Sequence, residues 1–306
     1  MILSGKVLWA RSSIFHVMGR QRWISPQFVG RADELGLLGR ALLRASGGAG
    51  QCVFVEGEAG IGKSRLLTEL RAGFAGHTFE GRCYEEDAAF PFAPVTAGLR
   101  GLLADADQDM AAIIARRARD LARLLPGWVG PDLGQPTSPA SDPAASQRAL
   151  FESLAGLFFD LAVESPLLVL FENLHWSDES TLGLLRFLAR RLARHRILLI
   201  GTYRPDIKSA GLAELLDQLC REHLVQEITL GPLAREEVDA LLRDLFESVR
   251  PISAEFLDTV AAFSEGNPFY VEELVRAMVQ AGKPLWGPRP AYAGAIYCRQ
   301  GPRLLK

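Results

Sequence analysis

The chain holds only four cysteines in 306 residues, Cys52, Cys83, Cys220 and Cys298, and none falls in a CxxC or Cys/His spacing. That scatter excludes a structural zinc site and a disulfide framework, and it predicts a reducing, cytoplasmic setting. No apolar run reaches the roughly eighteen residues a membrane-spanning helix needs, so no membrane partner is expected. Lys6 and Arg11 interrupt the apolar N-terminus before a signal-peptide core can form. Net charge is nearly absent, formally −2 at pH 7, which argues against the whole molecule binding a polyanion. Only the ends are lopsided. Residues 1–32 carry Lys6, Arg11, Arg20, Arg22 and Arg31 without an acid, and the residues after Glu273 are likewise acid-free. Both read as solvated ends, with weak nucleic-acid or membrane-surface contact as the alternative. No DNA-binding motif is visible.

What is present is an ordinary globular composition, 48% apolar and 23% charged, in a length that suits one large domain or a core domain with a small companion. The chain is organised around residues 51–74, QCVFVEGEAGIGKSRLLTELRAGF. Val53, Phe54 and Val55 predict a buried strand. Leu66, Leu70 and Phe74, four apart, predict one apolar helix face. Between them Gly57, Glu58, Ala59, Gly60, Ile61, Gly62, Lys63 and Ser64 fit G-x-x-x-x-G-K-[ST], the phosphate-binding P-loop. The chemistry needs that spacing. Several backbone N–H groups must point inward together to hold phosphates, and Gly57, Gly60 and Gly62 permit the backbone angles and the close approach. A helix starting near Gly62 turns its positive end to the anion. Lys63 would reach the β- and γ-phosphates, and the Ser64 hydroxyl would ligate Mg²⁺.

Residues 1–26 show no period and read as a peripheral extension. A helix pattern follows over 32–44, then a glycine hinge over 46–50. A second strand is expected over 77–83, helices near 96–104, 108–125 and 147–163, and a proline-rich surface excursion over 126–146. Arg116, Arg117, Arg119 and Arg123 read as a solvated face of the 108–125 helix. The continuous apolar run 167–171 fits a central parallel strand covered on both faces. Ser177 or Asp178 can cap the next helix. Buried strands over 197–203 and 225–230 complete an α/β parallel sheet flanked by helices, the P-loop NTPase class. From Pro232 the pattern is helical, over 234–247, 254–263 and 267–281, with Asn267 as cap and Pro268 at the first position. This predicts a P-loop domain over 27–231, a small C-terminal helical lid domain over 232–281, and a tail over 282–306 that does not fold alone.

A P-loop enzyme also needs an acid at the end of a neighbouring strand to serve Mg²⁺. Glu172 follows the apolar run at that place. The next position, where a second carboxylate would activate water, holds Asn173, and a neutral amide cannot accept that proton. Binding of ATP with weak hydrolysis is therefore expected. His175 beside Trp176 reads as a packed or hydrogen-bonded side chain. Asp178 and Glu179 read as helix N-terminal acids. Arg204, just past the fourth strand, could sense the γ-phosphate, with a plain surface arginine as the equal alternative.

FVGR (28–31), GEAGIGKSR (57–65), LLVLFENLHWSDEST (167–181), IGTYRPD (200–206), LGPL (230–233) and EGNPFYVEELV (265–275) occur in that order. Together they resemble the Orc1-like AAA ATPase domain of the STAND class, found in LuxR-type (LAL, MalT-like) regulators and in adenylate-cyclase-related multidomain proteins of bacteria. The resemblance covers about residues 27–281. It implies ATP and ADP as ligands and Mg²⁺ as cofactor. Val29, Gly30 and Arg31 would border the adenine, and Gly57 to Arg65 would form the phosphate cradle. Glu172 would serve the metal, and Arg204 would occupy the sensor position. Such domains act as nucleotide switches and form nucleotide-dependent oligomers. Relatives usually carry an acid at the position of Asn173 and continue into sensor and effector domains. Residues 282–306 do not look like that continuation. Sensor and effector are thus expected as domains or proteins outside this chain, with a truncated or frameshifted product, or an active ATPase acting on DNA, as the other readings.

Overall fold

A computed structural model describes Ser25, residues 27–121, Leu124, residues 143–246 and residues 252–281. The extension before Ser25, most of the proline-rich excursion and the tail after Ala281 lie outside the described residues. The chain divides into two units: residues 31–231, and residues up to Gly30 together with those from Pro232.

The larger unit opens with helix α1 (Ala32–Ser46) and strand β1 (Gln51–Gly57), followed by α2 (Lys63–Ala72) and β2 (His77–Arg82). Then come α3 (Ala93–Ala104), α4 (Gln108–Leu121), α5 (Pro143–Glu164), β3 (Leu167–Glu172), α6 (Glu179–Ala189), β4 (Ile197–Tyr203), α7 (Ala210–Arg221) and β5 (Gln226–Leu230). Among the described residues the sheet has five strands, all parallel, in the order β2-β3-β4-β1-β5. Every residue of β4 is buried and all of β3 except Glu172, so both central strands are covered on two faces. Edge strand β5 instead alternates between buried and open positions.

The core is aromatic at its centre. Phe79 meets Phe158 with ring centroids 4.9 Å apart and Phe171 at 5.6 Å. Gly201 in β4 is what admits Phe54: a Cβ there would meet Leu174 Cδ1 at 2.5 Å and the Phe54 ring closer still. Asp178, the cap of α6, accepts from Thr181 N (2.9 Å), Thr181 Oγ1 (2.6 Å) and Phe92 N (3.1 Å), so one carboxylate starts α6 and fixes the entry to α3. The arginine face expected on α4 is not all solvated. Arg117 pairs with Asp160 of α5 through Nε at 3.0 Å and Nη2 at 2.9 Å, while Arg116 is exposed.

The smaller unit packs helices α8 (Arg235–Leu245), α9 (Ala254–Ser264) and α10 (Pro268–Gln280) around Val238, Leu242, Val260, Val271 and Val275. Asn267 caps α10 by accepting from Phe269 N at 3.1 Å, with Pro268 in the first turn. Residues 27–30, which the sequence pattern attached to the P-loop domain, run with these helices instead. Gln27 N donates to Asp244 Oδ2 at 3.1 Å, and Val29 packs on the helical core. No helix of the described residues is long and apolar enough to cross a membrane.

Candidate functional site

The loop joining β1 to α2 carries the phosphate motif. Gly60 and Gly62 adopt φ of 76° and 106°, conformations open to glycine at little cost. Gly57 does not. Its reason is packing beneath the loop, since a Cβ there would meet Ile61 Cγ2 at 2.8 Å and Leu230 O at 3.2 Å. Buried Ile61 plugs the loop from below, leaving Glu58, Ala59 and Gly60 at the rim.

The start of α2 differs from the capped helix starts, and like those of α1 and α3 it has no side-chain cap. Asp178, Ser209, Ser253 and Asn267 cap their helices with side-chain oxygens. The N-cap of α2 is Gly62, with no side-chain cap bond and no acid in the first turn. The first turn of a helix leaves N–H groups without intrahelical acceptors, and here the protein supplies no anionic or capping side chain to meet them. N–H groups of this kind, at the positive end of the helix, are suited to an anion.

Lys63 is 8% exposed, and its Nζ donates to Gly57 O (2.6 Å) and Glu58 O (2.7 Å). Burial, and next the nearby positive charge of Arg204, lower its pKa to about 8; Asp206, Glu172 and Glu58 act the other way. Ser64 Oγ hydrogen-bonds Glu172 Oε2, and Arg82 holds Oε1 of the same carboxylate. The Arg82 partnership follows from register, because Arg82 of β2 lies directly opposite Glu172 of β3. The bond to Glu172 also raises the Arg82 pKa. One hydroxyl and one carboxylate are hard oxygen donors of the kind Mg²⁺ takes, a metal usually held by one or two carboxylates plus substrate phosphates and water. The residues therefore fit Mg²⁺. They do not form an all-protein metal cage, and the described residues contain no group of three or more His, Cys, Asp and Glu able to hold an ion. Arg65, next in the motif, pairs with Glu69 at 2.9 Å.

Asn173 stands at φ 61°, a left-handed conformation that asparagine adopts more readily than most residues, and its N–H donates to Thr202 Oγ1 at 3.1 Å. His175 is 5% exposed and packs beside Trp176, yet its Nδ1 has no hydrogen-bond partner among the described residues. Burial first, then the charges of Arg204 and Lys63, push its pKa down to about 4, so it is neutral at pH 7. Arg204 pairs with Asp206, lowering the pKa of that carboxyl. Its influence on Lys63 and His175 puts the end of β4 in the electrostatic neighbourhood of the loop.

Arg31 is buried. Its guanidinium donates to Ile61 O at 3.3 Å, to Gly231 O and to Glu34 Oε1 at 3.3 Å, so it ties the underside of the P-loop to the end of the sheet domain. Gly30 has φ 71°, and a Cβ there would strike the Glu237 carboxylate of the helical unit. The sequence reading had not marked Arg82, Thr202 or Asp206. Nor had it marked Tyr203, whose OH lies 2.7 Å from Glu56 Oε2 and 3.0 Å from Glu227 Oε1 behind the loop. Thr202, Tyr203 and Asp206 lie within the IGTYRPD piece, but apart from Arg204, the partner of Asp206, their partners, like that of Arg82, come from other strands or their ends.

Residues 27–200 match the family model described as AAA ATPase domain. An uncharacterised protein of Rhizobium meliloti (strain 1021) is 25% identical over 287 residues, covering 88% of this chain and 26% of the relative. The chain thus spans about a quarter of the length of that curated relative. The Walker-type ATPase of Pyrococcus abyssi superposes with a TM-score of 0.53 at 14% identity, over 87% of this chain and 71% of that one. The Aeropyrum pernix ORC2 protein, described in ADPNP and ADP complexes, gives 0.52 at 15% identity, over 86% and 67%. At these identities the likeness is one of fold: a P-loop NTPase sheet flanked by helices.

Proposed function

The chain belongs to the AAA ATPase domain family, and from that premise we propose that it is an ATP-binding nucleotide switch of the STAND type, with Mg²⁺ as cofactor and weak hydrolysis. The observation that carries the reading is the meeting of Ser64 with Glu172, 108 residues apart in sequence, beside the buried amine of Lys63. In this reading the N–H groups at the uncapped start of α2 bind phosphate oxygens. Lys63 leaves the carbonyls of Gly57 and Glu58 for the β- and γ-phosphates. Ser64 and Glu172 would hold Mg²⁺, with Arg82 orienting the carboxylate. When bound, the metal supplies positive charge that neutralises the phosphates. Val29, Gly30 and Arg31 border the adenine by resemblance to the family, and Arg204 is assigned to sensing the γ-phosphate.

Asn173 limits turnover. Without a carboxylate at that position the general-base contribution, typically about 10²–10⁴ in rate, is missing. A bound state that persists suits a switch, in which ATP and ADP favour different states of the helical unit. The motif pieces LHW-S-D (174–178) and GNPF (266–269) support placing the module in a bacterial LuxR-type or related multidomain regulator, with sensor and effector partners elsewhere and nucleotide-dependent oligomers.

The test is a titration of the purified chain with fluorescent ATP and Mg²⁺, beside Lys63→Ala. Saturable binding that the substitution abolishes supports the nucleotide site, and no binding by a folded chain refutes it. Phosphate release then separates the readings. Steady hydrolysis stimulated by DNA would place an Orc1-like ATPase acting on DNA ahead of the switch. Identical protease protection of the 232–281 region in ATP and ADP would also count against the switch.

A further inference from the structure

We propose that the groove between α5 and α6 is a docking site for an acidic peptide segment of a partner protein, one that presents an aromatic or aliphatic side chain between its carboxylates. The groove is a cavity of about 280 Å³ with Phe151 and Phe187 in its floor and Arg148, Arg186, Arg190 and Arg191 around it. Gly183 makes the room: with no side chain on α6 at that turn, the Phe151 ring lies over the helix, and a Cβ would meet it at 3.1 Å. The two floor rings stand 5.7 Å apart, and the Arg191 guanidinium sits 3.5 Å from the centroid of Phe187.

The charge around this floor is not balanced by its contacts. Arg148 pairs with Glu152 at 3.2 Å, and Arg190 pairs with Glu222. Arg186 donates to the neutral Gln218 Oε1 at 2.9 Å, and Arg191 donates to the carbonyl of Phe187 at 3.1 Å. Four guanidiniums therefore share two carboxylates. Arginines at the end of a helix favour its dipole, a purely structural reason for Arg186 in the last turn of α6 and Arg190 at its C-cap. That reason does not reach Arg148, on a different helix, or the phenylalanine rings left open between the charges.

The open shape decides the class of occupant. Small-molecule pockets usually exceed about 300 Å³ and enclose their ligand. This groove is slightly smaller and open, so it admits one apolar side chain with flanking main chain. Arginine clusters recognise acidic motifs through paired N–H donors, and the aromatic floor adds an apolar anchor. None of the residues lining the groove belongs to the nucleotide site. In a parallel sheet α6 runs antiparallel to the strands, from its cap just after β3 back toward the start of β4. Arg190 and Arg191 thus lie at the end of the sheet opposite the P-loop.

The test is fluorescence anisotropy of the full chain with a labelled pentapeptide of two glutamates, a phenylalanine and two glutamates. Expected is saturable binding that weakens with salt. The double substitution Arg148→Glu with Arg191→Glu should lower affinity by about tenfold or more, with thermal melting by circular dichroism unchanged. Replacing the peptide's phenylalanine by serine should weaken binding too. Three results overturn the proposal: no saturable binding by a folded chain, equal affinity for the double variant, or equal binding of the serine peptide. Displacement of the peptide by the same concentration of inorganic pyrophosphate would also overturn it, reducing the groove to a plain anion patch.

Discussion

Nucleotide affinity should fall steeply with pH above about 8, and Lys63 is the reason. In the free protein its amine is buried against two loop carbonyls, and its pKa is lowered to about 8 by burial and then by Arg204. Bound phosphates would restore it to the ordinary lysine range, near 10.5. Between those values the bound state holds a proton that the free state has lost, so binding takes up one proton, and raising the pH opposes it. At about pH 7 the free-state lysine is about nine-tenths charged, and at about pH 9 about nine-tenths neutral. The apparent Kd should thus rise about tenfold over those two pH units. The phosphate's own ionisation, near pH 6, is complete below this window. The assay is fluorescent-ATP titration at a series of pH values, with Lys63→Arg as the comparison, because arginine does not titrate there. A wild-type Kd that stays flat from about pH 7 to 9 would refute the reasoning: either the free lysine is not buried as described, or it does not move to the phosphates. The same shift has a stability consequence of definite sign. The folded state loses its proton first as pH rises, so the nucleotide-free protein should gain stability between about 8 and 10.5.

Three further outcomes follow from individual contacts. Asn173→Asp should raise ATP hydrolysis by about 10²-fold or more, measured as phosphate release, because the left-handed backbone at φ 61° suits aspartate as well. Gly201→Ala should destabilise the chain by about 1–3 kcal/mol in urea unfolding, since its Cβ collides with the Phe54 ring and Leu174. Asp178→Ala should cost about 2 kcal/mol, because it removes the cap of α6 and strands the buried Phe92 N–H and the Thr181 hydroxyl; unchanged unfolding would show that water replaces the carboxylate.

The P-loop, the strand before it and the helix after it were readable because their signals are local. The glycine spacing, the apolar period of α2 and the continuous run of β3 all act within a few residues. The cap Asn267 was readable for the same reason, and the cap of α6 was narrowed to Ser177 or Asp178, since a cap bonds an N–H two or three residues ahead. Glu172 could be nominated from its place at the end of an apolar run. The tertiary structure alone showed that Ser64 reaches it and that Arg82 holds it, because those meetings depend on strand order and register across the sheet. Gly57 was legible as a motif glycine, but one of the neighbours that require it, Leu230, comes from the adjacent strand β5. Arg31 shows the same division. The family resemblance implied a ligand contact for it, and the fold buries its guanidinium on the carbonyls of Ile61 and Gly231. Short-range pattern specifies which elements form and which residues face inward. Which charged ends of those elements come together is a property of the assembled sheet, since strand order and register set which ends lie side by side.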